Sequence, residues 1–319
     1  MRLPVPFIQL PFAFDTDRLR EELRSLSDSD WMGHPSGMVG NSAVALVSHK
    51  GSDNDAFGGK MEETPHLAKL PYHRQIMANF NEVLSRSRLM RLAGNSEVSH
   101  HVDFNYHWYS RLRIHIPIVT NPNVIFHCGH EALHMQPGEC WIFDSWRWHK
   151  VVNSSTADRI HLVIDLSGSS RFWRMVEEAH TNESDLISVR YKQNEPAPLR
   201  LEKYNIAPVM APGELEAIAH EIIRDFKDCP NNADEVISYY EALLLDLGRD
   251  WREIWYEYGQ GPMGWSKYRE LLDRTQNKLY PERRALVTSS NNVGVNPIII
   301  QRLLRPALAS EHFQDFIGD

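Results

Sequence analysis

At 319 residues the chain can bury one large core, or a main domain with a smaller one appended. Its composition, 42% hydrophobic and 24% charged, is that of a globular protein. A net charge of −8 argues against nucleic acid or an anionic membrane as a partner, because both select basic faces.

Cys128, Cys140 and Cys229 are an odd set without paired spacing, expected as reduced core residues in a cytoplasmic protein. The apolar N-terminus is interrupted by Pro4, Pro6 and Pro11 and lacks the unbroken apolar stretch of a secretion signal. No run approaches the roughly 18 apolar residues of a membrane span. The chain is therefore expected in the cytoplasm, without a membrane partner.

In chain order, residues 16–26 carry Leu19, Leu23 and Leu26 at helical spacing behind an Asp15-Thr16-Asp17 capping cluster. Residues 33–60 are rich in Gly and Ser around one short strand candidate at 43–48, and read either as a lid or as a flexible connection. Residues 71–85 read as a second helix.

From Arg88 to Leu166 the pattern changes to short runs of period 2. Residues 113–118 place three isoleucines on one face and Arg113 with His115 on the other. Residues 124–128 and 139–143 are further strand candidates, the second behind a Pro137-Gly138 turn; 159–166 alternates again, with Arg159 and His161 on one side. Several short strands in succession point to a sandwich or barrel. Beyond residue 200 the pattern is helical: 213–226, 233–259 and 266–279 are amphipathic. The expected organisation is α+β, with a sheet domain over 1–190 and a helical domain over 200–319. The latter would cap the barrel mouth or form a homodimer face, and its Trp251, Trp255 and Tyr256 run is expected in its core.

Sixteen histidines invite a metal hypothesis, and spacing selects among them. A non-haem iron site needs two histidines and a carboxylate, with coordination positions left open. His101 alone is followed two residues later by an acid, Asp103. On a strand, residues i and i+2 point the same way, so His101 and Asp103 can be delivered together. A third ligand must come from another strand, and His149 follows the 139–143 candidate. Arg159 opens the last strong strand, where a buried guanidinium needs an anion and a dicarboxylic co-substrate supplies one.

These stretches, from SRLMRLAGNSEVSHHVDF through RLRIHIPI, HMQPGECWIFD and HKVVNSS to RIHLVIDL, resemble the aspartyl/asparaginyl β-hydroxylase family of 2-oxoglutarate oxygenases, which includes bacterial free-proline hydroxylases. The resemblance covers roughly residues 10–170. It implies a double-stranded β-helix (jelly-roll, cupin-like) core, with flanking N-terminal helices and a C-terminal helical domain. It also implies hydroxylation of a small-molecule carboxylate such as an amino acid, with Fe(II), 2-oxoglutarate and O2. At matching positions it implies His101, Asp103 and His149 as catalytic iron ligands and Arg159 on the distal carboxylate of 2-oxoglutarate. Arg113 and His115 stand at the family's Arg-x-His pair, which contacts the co-substrate or the substrate carboxylate. Some members carry glycine for the aspartate ligand; this chain keeps Asp103.

Other residues carry competing readings. His127, His130 and His134 have metal-like spacing on paper but straddle a turn, so solvated or substrate-lining roles are favoured, with His127 expected toward the interior. His107, Trp108 and Arg111 would line a substrate entrance or form an exposed aromatic loop. His161 would support the site from behind or simply pack, and His100 is expected to point away from the metal. Two functional classes compete with the oxygenase: a cupin-like metalloenzyme independent of 2-oxoglutarate, and a silent barrel that only binds. The absence of a His-x-His pair counts against the first, and the complete ligand set against the second.

Overall fold

The computed structural model describes residues 2–33, 37–181 and 184–314. The chain divides into two compact units, Met1–Val102 with Ser110–Lys203, and Asp103–Tyr109 with Tyr204–Asp319.

The strands of the first unit are β1 (Phe7–Leu10), β2 (Phe12–Phe14), β3 (Met32–Gly33), β4 (Asn41–His49), β5 (Met61–Glu63), β6 (Val83–Leu92) and β7 (Ser96–His101). They continue with β8 (Leu112–Val119), β9 (Val124–Cys128), β10 (Glu131–Leu133), β11 (Cys140–Phe143), β12 (His149–Asn153), β13 (Arg159–Leu166) and the short β14 (Ile187–Val189) and β15 (Arg200–Leu201). Among the described residues the larger sheet runs β1-β11-β8-β13-β6-β4-β3, and a smaller one runs β10-β9-β12-β7. The pairings along both of these paths are antiparallel.

Alternation decides what each face of the large sheet does. Ile114, Ile116 and Ile118 of β8 and Leu162, Ile164 and Leu166 of β13 pack with Leu19, Tyr72, Ile76 and Phe172 from the covering helices Thr16–Leu23, Pro71–Asn79 and Ser170–His180. Arg113, His115, Arg159, His161, Val163 and Asp165 occupy the other face. The two sheets meet there through Phe7, Leu92, Val124, Phe126, Cys128 and Val151, with Trp141 and Phe143 packed against them. The unit is thus a two-sheet antiparallel sandwich whose apolar outer layer lies under helices and whose inner layer is mixed. The Pro137-Gly138 turn is present: Gly138 has φ +81°, and a Cβ there would stand 2.6 Å from the Phe14 carbonyl.

Two boundaries differ from expectation. The helix read at 71–85 stops at Asn79, because Asn81 takes φ 51° and the chain turns into β6. The strand read at 43–48 within the 33–60 passage is present as the longer, nine-residue β4, which pairs with β6. Residues 34–36 of that passage lie outside the described residues.

The second unit is built on the helices Pro212–Lys227, Asp234–Tyr258 and Trp265–Asn277. Their apolar stripes bury Leu215, Ile222, Phe226, Leu244, Leu247 and Leu271. Trp251 is fully buried, donates Nε1–H to the Met210 carbonyl at 2.9 Å and packs with its ring tilted 4.4 Å from that of Tyr268, whereas Tyr256 is exposed. A π-helical turn, Ile299–Leu304, carries the buried Arg302, whose Nε donates to the Phe104 carbonyl at 3.0 Å. No helix among the described residues is long and apolar enough to cross a membrane.

Candidate active site

His101 closes β7 and His149 opens β12, and the two stand opposite each other in the ladder between those strands. Their rings lie 4.2 Å apart between centroids. Asp103 follows two residues after His101, just past the strand end rather than on it. One ligand atom from each of His101, Asp103 and His149 lies within 4.8 Å of the others, a spacing that can hold a metal ion. Each imidazole is oriented from behind. His101 Nδ1 bonds the Ser99 carbonyl at 2.7 Å, and His149 Nδ1 bonds the Arg147 carbonyl at 2.8 Å. A carbonyl can only accept, so both Nδ1 atoms donate, which leaves Nε2 of each ring as the nitrogen available to a metal.

The turn before His149 is held by Asp144, which sequence reasoning missed. Its carboxylate accepts from Trp146 N at 3.0 Å and from Arg147 Nε at 3.0 Å, and burial pushes its pKa up. An Asp followed two residues later by a backbone donor is a common turn device, and that was the available signal.

Arg159 lies at the start of β13, only 4% exposed. Its guanidinium sits 5.0 Å from the Phe126 ring centroid, its Nε has no hydrogen-bond partner, and among the described residues no carboxylate pairs with it. Burial alone lowers its pKa to about 9. His115 and His161 lie beside it with both ring nitrogens of each unpartnered. His161 stacks on Phe126 at 5.4 Å, and His115 stands 5.2 Å from Phe143, which in turn lies 4.9 Å from His149. Burial first, and then the neighbouring arginines, hold both histidines well below their ordinary pKa, so both are neutral.

Arg113 does face inward, but its fork is engaged: Nε and Nη2 bind the two oxygens of Asp165 at 2.6 and 2.8 Å. Arg86 and Arg88 of β6 converge on the same carboxylate region, Arg86 Nε standing 3.7 Å from Asp165 Oδ2. None of Asp165, Arg86 and Arg88 was singled out from sequence. A pairing between strands 70 or more residues apart leaves no local pattern.

Two expectations need correction. His107 and Trp108 are buried within the short helix His107–Ser110, not in an exposed loop, and Arg111 is a buried partner of Glu202 at 2.8 Å. His127 does not face the interior. On β9 Phe126 takes that face, and strand alternation turns His127 outward near Lys150 and His100. His130 is exposed, and His134 bonds the Val124 carbonyl at 3.0 Å, so the HCGHEALH histidines are dispersed. His100 packs against the Trp148 ring at 5.1 Å, the two rings tilted.

Comparison with known proteins follows this geometry. Residues 43–168 match the family model described as aspartyl/asparaginyl beta-hydroxylase. The L-proline cis-4-hydroxylase of Rhizobium meliloti (strain 1021) is 24% identical over 188 residues, 56% of this chain and 67% of that protein. A 2OG-Fe(II) oxygenase family oxidoreductase from Burkholderia pseudomallei superimposes with a TM-score of 0.38 at 14% identity, covering 53% of this chain and 88% of that one. The α-ketoglutarate-dependent epimerase SnoN of nogalamycin biosynthesis does so with a TM-score of 0.35 at 14% identity, covering 50% and 76%.

Proposed function

We propose that the chain, whose residues 43–168 match the aspartyl/asparaginyl beta-hydroxylase family model, is a 2-oxoglutarate-dependent hydroxylase that uses Fe(II), 2-oxoglutarate and O2 to hydroxylate an unactivated C–H bond of a free amino acid or similar small carboxylate. 2-Oxoglutarate is decarboxylated to succinate in the same turnover. We read residues 1–190 as a double-stranded β-helix domain with flanking N-terminal helices, and 200–319 as a helical domain of its own.

The observation that carries this reading is the pairing of a two-histidine, one-carboxylate cluster with a buried arginine that no carboxylate among the described residues pairs with. Two imidazoles and a carboxylate are the donor set that suits Fe(II) with positions left for other ligands. A desolvated guanidinium without a counter-ion is costly unless an anion arrives, and 2-oxoglutarate brings one at its far end.

His101, Asp103 and His149 would hold the iron, which supplies the activation of O2 and the oxidation of the C–H bond. The Ser99 and Arg147 carbonyls keep the two imidazoles in the ligating tautomer. Arg159 takes the distal carboxylate of 2-oxoglutarate through paired charge-assisted hydrogen bonds, strengthened by burial. The neutral His115 and His161 can each donate one N–H to bound oxygens without adding charge. Phe126, Phe143 and Val163 close the interior to water, which guards the oxidising step from side reactions.

The test needs no substrate. Anaerobic apo-protein loaded with Fe(II) and titrated with 2-oxoglutarate should develop a weak metal-to-ligand charge-transfer band in the visible. Iron binding without the band would favour the 2-oxoglutarate-independent metalloenzyme. No iron binding at all would leave only a binding module.

A further inference from the structure

We propose that Arg302 is a positioning residue for the metal centre: it holds the main chain that carries Asp103, and so decides where the carboxylate ligand stands. The inference rests on the oxygenase reading, from which it takes the ligand set, and adds to it a residue of the C-terminal helical unit.

The three ligands are not fixed alike. His101 and His149 face each other in the β7–β12 ladder, which continues through Val98, Glu97 and Ser96. Asp103 lies beyond the end of β7, where that ladder has stopped. By its contacts the segment Asp103–Tyr109 groups with Tyr204–Asp319, the helical unit. A side chain off the ladder takes its place from whatever holds its backbone, and a metal ligand has to be held to about half an ångström.

Two hydrogen bonds to the main chain do the holding. Arg302 Nε donates to the Phe104 carbonyl at 3.0 Å, one residue from Asp103, and the Tyr106 amide donates to the Gln301 carbonyl at 3.2 Å. The consecutive residues Gln301 and Arg302 thus grip the chain on both sides of Asn105. The Tyr106 hydroxyl adds a bond to Glu214, in the first turn of the helix Pro212–Lys227.

The clip follows from the local sequence. In the π-helical turn Ile299–Leu304 the bonds span five residues, and the Arg305 amide goes to the Ile300 carbonyl. By the same step the Gln301 carbonyl would look to residue 306, which is Pro306 and has no N–H. The Tyr106 amide takes that carbonyl instead. Arg302 itself is only 2% exposed, with Nη1 3.3 Å from Glu221 Oε1 and its guanidinium 5.7 Å from the Tyr109 ring centroid. A guanidinium is costly to bury, so its partners have to offset that cost. Here one of those partners is the carbonyl next to a metal ligand.

A brace and a positioning residue behave differently when removed. Loss of a brace lowers stability and leaves the metal affinity of the folded protein alone. Loss of a positioning residue lowers metal affinity, and only while Asp103 is there to be positioned.

The experiment titrates the full chain with Co(II) in place of Fe(II), read from its visible d–d bands, and follows amide exchange of the metal-free protein by mass spectrometry. Arg302→Met should weaken Co(II) binding roughly 10- to 100-fold, the range for a residue lost from behind a ligand, and should speed exchange over residues 104–109. In an Asp103→Ala background the same change should weaken Co(II) no further, since its effect runs through the carboxylate. Leu247→Ala opens a cavity in the same helical unit and should lower the melting temperature while leaving Co(II) binding unchanged. Should Arg302→Met fail to fold, Arg302→Lys keeps the charge, lacks the Nε donor and should weaken Co(II) in the same sense. Normal Co(II) binding in a folded Arg302 variant, an equal loss in Leu247→Ala, or a further loss on top of Asp103→Ala would overturn the proposal. A wild type that binds no Co(II) would instead count against the oxygenase reading, and unchanged exchange over 104–109 in the Arg302 variant would then overturn the clip on its own.

Discussion

Arg159 and Asp165 stand six residues apart on the same inner face of β13 and have opposite electrostatic surroundings. Among the described residues no carboxylate pairs with the buried Arg159 cation; Asp165 is a buried carboxylate with three arginines around it. One strand therefore presents an unmet need for an anion at one end and a surplus of cations at the other. His161 and Val163 fill the space between.

The first prediction follows from Arg159. In Arg159→Met the 2-oxoglutarate requirement should rise on the order of 100-fold, since a bidentate charge-assisted pair is lost. The ligand-free variant should melt no lower than the wild type, because an uncompensated buried charge has been replaced by an apolar side chain. The rise in Tm that 2-oxoglutarate gives the metal-loaded wild type should vanish. A variant that keeps this thermal response would place the co-substrate carboxylate elsewhere.

The ligand set makes a second prediction. His101→Ala, Asp103→Ala and His149→Ala should each abolish iron-dependent turnover, read as succinate formation. Iron stoichiometry should fall with activity in all three. Because His101 and Asp103 are only partly buried, neither change opens a core cavity, and far-UV circular dichroism should be unaltered. Full iron occupancy in Asp103→Ala would remove that residue from the set.

How much of this was legible beforehand depends on whether the signal is local. The alternation of Arg113 to Ile118 and of Arg159 to Leu166 was readable because a strand's two faces are written within eight residues. The His101, Asp103, His149 and Arg159 candidates came from spacing and order, and the structure brings the first three together. The turn of His127 away from the interior was misjudged, since composition does not reveal which parity of a half-apolar strand faces inward. The Arg86–Arg88–Asp165 cluster was invisible. It depends on pairing across strands far apart in the chain, which has no signature in a single sequence.

A third prediction concerns pH. His73, His115 and His161 are all held below their ordinary pKa, burial being the first cause in each case. The folded protein keeps them neutral where the unfolded chain takes up protons, so below the unfolded value of about 6.5 the unfolded state binds more protons. Stability is therefore fully present above about pH 6.5 and declines as pH falls, by about 1.4 kcal/mol per pH unit for each histidine still neutral in the fold. Asp144, whose pKa is raised, acts in the opposite sense nearer the carboxylate range. Urea titrations of the metal-free protein at pH 7.5 and 5.5 test this, and equal midpoints would show that these histidines charge inside the fold.

The last prediction separates structural acid from functional acid. Glu22 is buried on the helix Thr16–Leu23 and caps the start of the helix Pro71–Asn79. Its carboxylate accepts from the Tyr72 amide at 2.9 and 3.0 Å, from the His73 amide at 3.3 Å and from His73 Nδ1 at 2.9 Å. Leu70, at the cap position, has no side chain able to do this, so the acid is borrowed from a distant helix. Arg18 also reaches Glu22, at 3.3 Å, but is partly exposed and contributes little. Glu22→Ala strands these donors in the core and should cost about 3 kcal/mol, against well under about 1 kcal/mol for Arg18→Ala. Both variants, once folded, should retain the 2-oxoglutarate titration midpoint, because this pair braces the helical layer behind the sheet and touches none of the inward-facing residues. A shifted midpoint in Glu22→Ala would mean that the outer helical layer sets the geometry of the inner face as well as supporting it.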